Sequence, residues 1–197
     1  MENMQMTGTA TVAVKLEYVW IDGNGSTRSK VKYENWVMNS ESGNMSREGV
    51  LNRLSDWSFD GSSTSQAETN NSDVILSPVK VYHNPLDNTE MASFLILCET
   101  YNPDGTPHDS NFRYDLEKSV ELNKDAGDVW VGVEQEYTFI DNETNKPLGW
   151  KGEEQGDNYC GVGGSNVNGR FVVDTHAQMC LMAGIDIAGT NAEVLIS

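Results

Sequence analysis

Leu16-Glu17-Tyr18-Val19-Trp20-Ile21-Asp22, then the turn Asp22-Gly23-Asn24-Gly25, then the run Thr27 to Tyr33, form the stretch whose reading decides the fold. The first run is rich in β-branched and aromatic residues, which suit a pleated, half-buried surface. The turn holds Asp-Gly and Asn-Gly, dipeptides that accept positive φ, so the three pieces read as a β-hairpin. Working outward, Asn39 to Arg47 reads as a polar linker and Asp56 to Asn71 as a long loop rich in Ser, Thr and Asn. Val74 to Leu76, Lys80 to Tyr82 and Phe94 to Glu99 read as further short strands, punctuated by Pro78, Pro85 and Pro103. The pattern predicts a small sheet between residue 12 and about residue 112.

Beyond that point the period changes. Asn111 to Asn123 is predicted helical, with Phe112, Leu116, Val120 and Leu122 as apolar contacts. Val129 to Ile140 reads as a strand, and Asn142 to Ser165 as a Gly-rich connection. Asn168 to Ala183 is a second predicted helix, with Val173, Ala177, Cys180 and Leu181 at helical spacing and Gly184 where a terminating glycine belongs. Ile185 to Ile187 and Ala192 to Ile196 read as short strands; no internal repeat is present.

The chain has 197 residues, enough for one large domain or two small ones, and a formal net charge of -17 from 13 basic and 30 acidic residues. Such a surface repels nucleic acid and anionic membrane, so neither is an expected partner. Cys98, Cys160 and Cys180 are far apart, form no CxxC pair and are odd in number, which points to ordinary thiols in a reducing compartment. Met1 to Val14 has neither the basic start and apolar core of a secretory signal nor the arginines of a transit peptide, and no apolar run reaches the roughly 20 residues of a membrane span. The expectation is a cytoplasmic protein.

Chemistry-bearing residues are sparse. In Val131-Gly132-Val133-Glu134-Gln135-Glu136-Tyr137-Thr138-Phe139 the strand period puts Glu134 and Glu136 on one face and Val131, Val133, Tyr137 and Phe139 on the other. Two carboxylates about 7 Å apart can serve neighbouring metal sites if others converge on them, but the pattern alone favours a solvated strand face. Gly161-Val162-Gly163-Gly164 lacks the Gly-Lys-Ser/Thr ending of a phosphate loop and reads as a turn-rich connection. Asp60-Gly61-Ser62-Ser63-Thr64, preceded by Trp57 and Phe59, reads by itself as an Asx-type turn with an aromatic anchor. His83, His108 and His176 are isolated and read as surface or satisfied side chains.

Several segments, in one order, resemble the eukaryotic kind of glutamine synthetase. Trp57-Ser58-Phe59-Asp60-Gly61-Ser62-Ser63-Thr64 resembles the family's W-x-F-D-G-S-S-T signature, and Glu17 to Gly23 with Arg28-Ser29-Lys30 its first hairpin. Asn71 to Leu76 resembles the stretch that follows the signature, and Val133 to Thr138 the metal-binding strand. Tyr159 to Gly163, Gly169-Arg170, Asp174-Thr175-His176 and the long run Ala183 to Val194 are similar to the region after it.

The resemblance implies a glutamate–ammonia ligase, in which ATP phosphorylates the γ-carboxylate of glutamate and ammonia displaces phosphate from γ-glutamyl phosphate. It implies ATP and Mg²⁺ or Mn²⁺ as cofactors, with Glu134, Glu136 and Glu193 as metal ligands and Glu134 thereby at the nucleotide's metal. It implies that Asp60 holds ammonium and helps remove its proton in the active site of a neighbouring subunit, with Trp57 packed at that interface, in a homo-oligomer of stacked rings. The implied fold is α+β: a small β-grasp-like domain, residues 1–112, followed by the opening of the family's catalytic barrel, residues 113–197.

The sequence departs from the family's pattern at Lys151 to Asn158, where a proline-rich stretch is shortened, and at Ile196-Ser197. The family continues past Glu193-Val194 with a further metal glutamate, a metal histidine, the glutamate-binding arginines and most of the nucleotide site. A chain ending at Ser197 is therefore expected to be inactive or nearly so alone. The rival expectations are a non-catalytic partner that docks into a full-length ring, and an unrelated acidic cation-binding module.

Overall fold

A computed structural model describes residues 10–38, 45–87, 91–150, 152, 158–164 and 167–194. Contacts divide the chain into two compact units, residues 1–127 and 128–197.

The first unit is built on β1 (Ala10–Ile21) and β2 (Thr27–Met38), the hairpin of the opening stretch, each longer than its sequence pattern suggests. The pattern of β2 is obscured because the core-side positions Lys30, Lys32 and Glu34 are polar. The two lysines nonetheless lie against aromatic rings, Lys30 Nζ being 3.6 Å from the Trp57 ring centroid and Lys32 Nζ 5.4 Å from that of Tyr18. A short helix α1 (Arg47–Leu51) follows, capped by Ser46, whose side chain accepts from the Gly49 amide. Next come β3 (Trp57–Asp60), β4 (Asp73–His83) and β5 (Ala92–Tyr101). The sheet order is β2-β1-β5-β4-β3, antiparallel except where β5 lies parallel to β1, with Leu16 opposite Phe94.

Alternation along β1 sends Val14, Leu16, Tyr18 and Trp20 into the core, where they meet Phe94, Ile96 and Cys98 of β5, Val74, Leu76 and Val81 of β4, Phe59 of β3 and Val50 of α1. Burial pushes the Cys98 thiol up to about 12, so it packs as a small hydrophobe. The two short strands expected around Pro78 are one strand: the ladder shifts register between Pro78 and Lys80, and a bulge is where a strand tolerates a residue without an amide proton. The expected loop 56–71 contains β3 and a 3₁₀ turn, Gly61–Thr64.

Helix α2 (Phe112–Leu122) matches its expected ends, with Asn111 capping the Tyr114 amide and Asn123 at the C-terminus. It falls within the first unit, although the sequence reading places it at the start of the second part. It is held there by its first turn: Arg113 Nε lies 3.2 Å from the buried Glu99 carboxylate, and Tyr114 meets Tyr101 edge to face. Its expected apolar contacts Phe112, Leu116, Val120 and Leu122 are all exposed.

The second unit contains the two-residue strands β6 (Ile140–Asp141) and β7 (Lys146–Pro147) and helix α3 (Arg170–Ala183), which ends at Gly184 with φ of 84°. The expected strand 129–140 is realised only at Ile140: residues 128–139 have no sheet partner among the described residues. The period-2 pattern states which side chains share a face, whereas a strand also needs a neighbour to receive its backbone hydrogen bonds. No strand forms over 185–187 or 192–194 either, and residues 195–197 lie outside the described residues, as do 39–44 of the expected linker and most of the shortened stretch 151–158. Among the described residues of this unit, Val167, Ala183 and Ala192 are the buried hydrophobics.

Candidate active-site loop and carboxylates

Asp60 ends β3 and is exposed, in the first unit. Its side chain caps the 3₁₀ turn: Oδ1 accepts from the Ser62 amide at 3.0 Å and from Ser62 Oγ at 2.6 Å. The Ser62 hydroxyl, then its amide, hold the carboxyl below the usual carboxylate range, with Ser72 adding to them. Asp60 is thus an ionised, solvent-facing carboxylate in a fixed orientation. The Asx-type geometry and the aromatic anchor are both present: Phe59 packs on Trp20 with centroids 4.5 Å apart, and Trp57 meets Tyr18 edge to face at 5.2 Å.

The loop carrying Asp60 is docked on the hairpin turn. The Gly23 amide donates to Thr64 O at 3.0 Å, and Asn24 Nδ2 to Ser65 Oγ at 3.0 Å. The approach is so close that a Cβ on Gly23 would lie 2.1 Å from the Ser65 carbonyl oxygen, so glycine is required there.

Glu134, Glu136 and Glu193 lie in the second unit. Glu134 and Glu136 are exposed and Glu193 is half-buried. Asn191 Nδ2 donates to Glu193 Oε1 at 2.7 Å, and the 191–194 segment is tied to 158–160 by Cys160 N to Ala192 O and Asn158 Nδ2 to Val194 O. The Tyr159 hydroxyl is raised above its ordinary range, first by neighbouring Cys160 and further by the charges of Glu193 and Glu134. Among the described residues, no three His, Cys, Asp or Glu side chains gather as a metal site would need. The carboxylates present do not by themselves fit a divalent cation, which seeks about six oxygen ligands.

The histidines have ordinary partners: His83 stacks near Phe94, His176 Nδ1 lies 3.2 Å from Tyr137 Oη, and His108 Nε2 lies 2.6 Å from Gln66 O. Sequence reasoning passed over Gln66, which lies two residues beyond the signature and whose buried amide joins the loop to β1; a lone amide in a polar run carries no periodic signal.

Residues 13–103, which span all five strands of the first sheet almost entirely, match the family model described as the glutamine synthetase β-grasp domain. The chain is 41% identical to a glutamine synthetase of Candida glabrata over 184 residues, 92% of this chain and 46% of that protein. It is 43% identical to one of Amanita muscaria (92% and 48%) and 44% identical to one of Panulirus argus (90% and 47%). The chain thus spans about half the length of the curated relatives it matches. A cryo-EM structure of Plasmodium falciparum glutamine synthetase aligns with a TM-score of 0.37 at 19% identity, covering 57% of this chain and 20% of that one, a likeness too distant to bear on the fold. The five-stranded sheet with its parallel β1–β5 pair is a β-grasp domain, and through it this chain belongs to the glutamine synthetase family.

Proposed function

We propose that this chain is the N-terminal portion of a glutamate–ammonia ligase and that its part in the reaction is to present Asp60 to the active site of a neighbouring subunit. The observation that carries this reading is the placement of Asp60 within the family signature, ionised, oriented by Ser62 and open to solvent on the β-grasp domain. A carboxylate facing its own core would have nothing to offer a neighbour.

The chemistry suits such a group. Attack of a γ-carboxylate oxygen on the γ-phosphorus of ATP releases ADP and leaves γ-glutamyl phosphate. The nitrogen lone pair then attacks the γ-carbon, and phosphate departs with the C–O bonding pair. Ammonium must lose a proton before its nitrogen can attack. A carboxylate held below its usual range is a strong electrostatic partner for ammonium and a weak base, so Asp60 serves first to hold the cation. Asp60 then takes the proton that ammonium must lose, a transfer drawn forward by the attack of the freed ammonia on the γ-carbon, and the second proton, shed by the nitrogen as the C–N bond forms, leaves with the departing phosphate.

Glu134, Glu136 and Glu193 are proposed as part of a larger metal-ligand set, for Mg²⁺ or Mn²⁺ with ATP, that needs further ligands besides these three. The domain proposal is residues 1–112 as the β-grasp part and 113–197 as the opening of the catalytic part, whose first helix α2 docks on the sheet through Arg113 and Tyr114, in a cytoplasmic homo-oligomer of stacked rings. No helix of the described residues is long and apolar enough to cross a membrane.

A mixing experiment tests this. Glutamine formation is measured for the purified chain alone, and after co-refolding it with a full-length eukaryotic glutamine synthetase whose aspartate matching Asp60 has been replaced by alanine. We expect negligible activity alone, a gain in the mixture, and no gain with Asp60→Ala. Co-assembly without any gain would remove Asp60 from the reaction. High activity of the chain alone would remove the need for a neighbour.

A further inference from the structure

We propose that Gln66 is the positioning residue of the Asp60 loop, holding it simultaneously to the hairpin and to the segment that leads into α2. This rests on the reading of Asp60 given above. Gln66 is 6% exposed, and its amide uses its full hydrogen-bonding capacity. Oε1 accepts from Trp20 Nε1 at 3.3 Å and from Thr64 Oγ1 at 2.9 Å, the single Thr64 proton being shared with Gly61 O at 3.1 Å. Nε2 donates to Ile21 O at 3.4 Å and to Ser110 Oγ at 2.9 Å.

The backbone of the same residue closes the loop. Its amide donates to Gly61 O at 2.9 Å, and its carbonyl accepts from His108 Nε2 at 2.6 Å. The network fixes the His108 tautomer. Nδ1 accepts from the Ser110 amide at 3.0 Å, so Nε2 carries the proton that goes to Gln66 O. One residue therefore ties β1, the 3₁₀ turn after Asp60 and residues 108–110 together. The turn begins at Asp60 itself, so releasing its far end frees the carboxylate's bearing.

Leucine would leave the Trp20 indole and Ser110 without their buried partner, and glutamate would set an oxygen against Ile21 O. A fully satisfied buried amide rigidifies what it joins, whereas a partly satisfied one does not.

The test compares wild-type chain with Gln66→Leu by amide hydrogen exchange. The expected result is exchange about tenfold faster at residues 61–67, with the β1 and β5 amides within about twofold of wild type. In the mixture with the alanine-substituted full-length enzyme, the KM for ammonium rises about tenfold while that for ATP is unchanged. Should Gln66→Leu not fold, Ser110→Ala removes one of the four amide bonds and should give the same local pattern at about threefold. Unchanged exchange at 61–67, or an equal rise throughout the sheet, overturns the proposal. If wild-type chain yields no activity in the mixture, the Asp60 reading fails, and the exchange arm still decides whether Gln66 holds the loop.

Discussion

Arg28 Nε lies 2.7 Å from Asp22 Oδ2, an ion pair across the turn that joins β1 to β2, with the carboxylate buried and the guanidinium half-exposed. The other oxygen, Oδ1, accepts from the amides of Asn24 at 2.8 Å and Ser26 at 2.9 Å. Arg28 first, then these amides, hold the Asp22 carboxyl below its ordinary value. Its stabilising contribution is present above the unfolded-state value of about 3.9 and is lost as pH falls through the lower folded-state value. Asp22→Asn should therefore melt about 5 °C below wild type at pH 7, and the gap should close below pH ~4. Thermal melts across that range check this; a gap independent of pH would mean that the charge is not what matters.

Glu99 is buried against Arg113 Nε, and its other oxygen accepts from Tyr101 Oη at 2.6 Å. Burial, then the bond to Glu99, pushes the Tyr101 phenol up to about 12, so it remains a donor at any physiological pH. Arg113→Ala leaves a buried carboxylate uncompensated and should cost about 2 kcal/mol in urea unfolding. Adding Glu99→Gln, which keeps an acceptor for Tyr101 and removes the charge, should recover part of that loss. A double variant no more stable than Arg113→Ala would contradict the pairing.

Limited chymotrypsin digestion should cut first at Trp130 and Tyr137. Trp130 is 93% exposed and Val133 85%, and residues 128–139 have no sheet partner among the described residues. The surviving fragment should end near Gly127 and not at residue 112, because the Arg113–Glu99 and Tyr114–Tyr101 contacts keep α2 with the sheet. Mass spectrometry of the fragment decides; primary cleavage within 112–122 would show that those contacts do not hold the helix.

Calorimetry with Mg²⁺ or Mn²⁺ should give a dissociation constant of about 1 mM or weaker, since Glu134, Glu136 and Glu193 offer too few oxygens and do not gather with other ligands. Glu134→Gln with Glu136→Gln should weaken it further. Micromolar binding to this chain would show a ligand set that its carboxylates lack here.

The sheet domain was legible where one face is buried and the other wet. Val14, Leu16, Tyr18 and Trp20 alternate cleanly, and so the hairpin is where the pattern puts it. The strand ends were not, because Lys30 and Lys32 occupy core-side positions by lying on aromatic rings, and because a bulge carries β4 past Pro78. The helix end at Gly184 was legible through capping chemistry, and α2 lies where its spacing put it, over 111–123. The Asp60 turn could be read from its small polar residues, but Gln66 could not, since its role comes from Trp20, Ile21 and Ser110, which only the fold brings to it. Residues 129–139 read as a strand and form none, because periodicity names a face and never a neighbour.

The parallel pairing of β1 with β5 has a consequence for synthesis. The hairpin can form as soon as Met38 has been made, but the inner edge of β1 has its partner only after Ala92–Tyr101 emerges, and β5 must enter between β1 and β4. At ~5–20 residues per second, that edge waits several seconds on the ribosome. During that interval Leu16, Tyr18 and Trp20 have no Phe94 or Ile96 to cover them, so the newborn domain is most vulnerable to aggregation just before its last strand inserts.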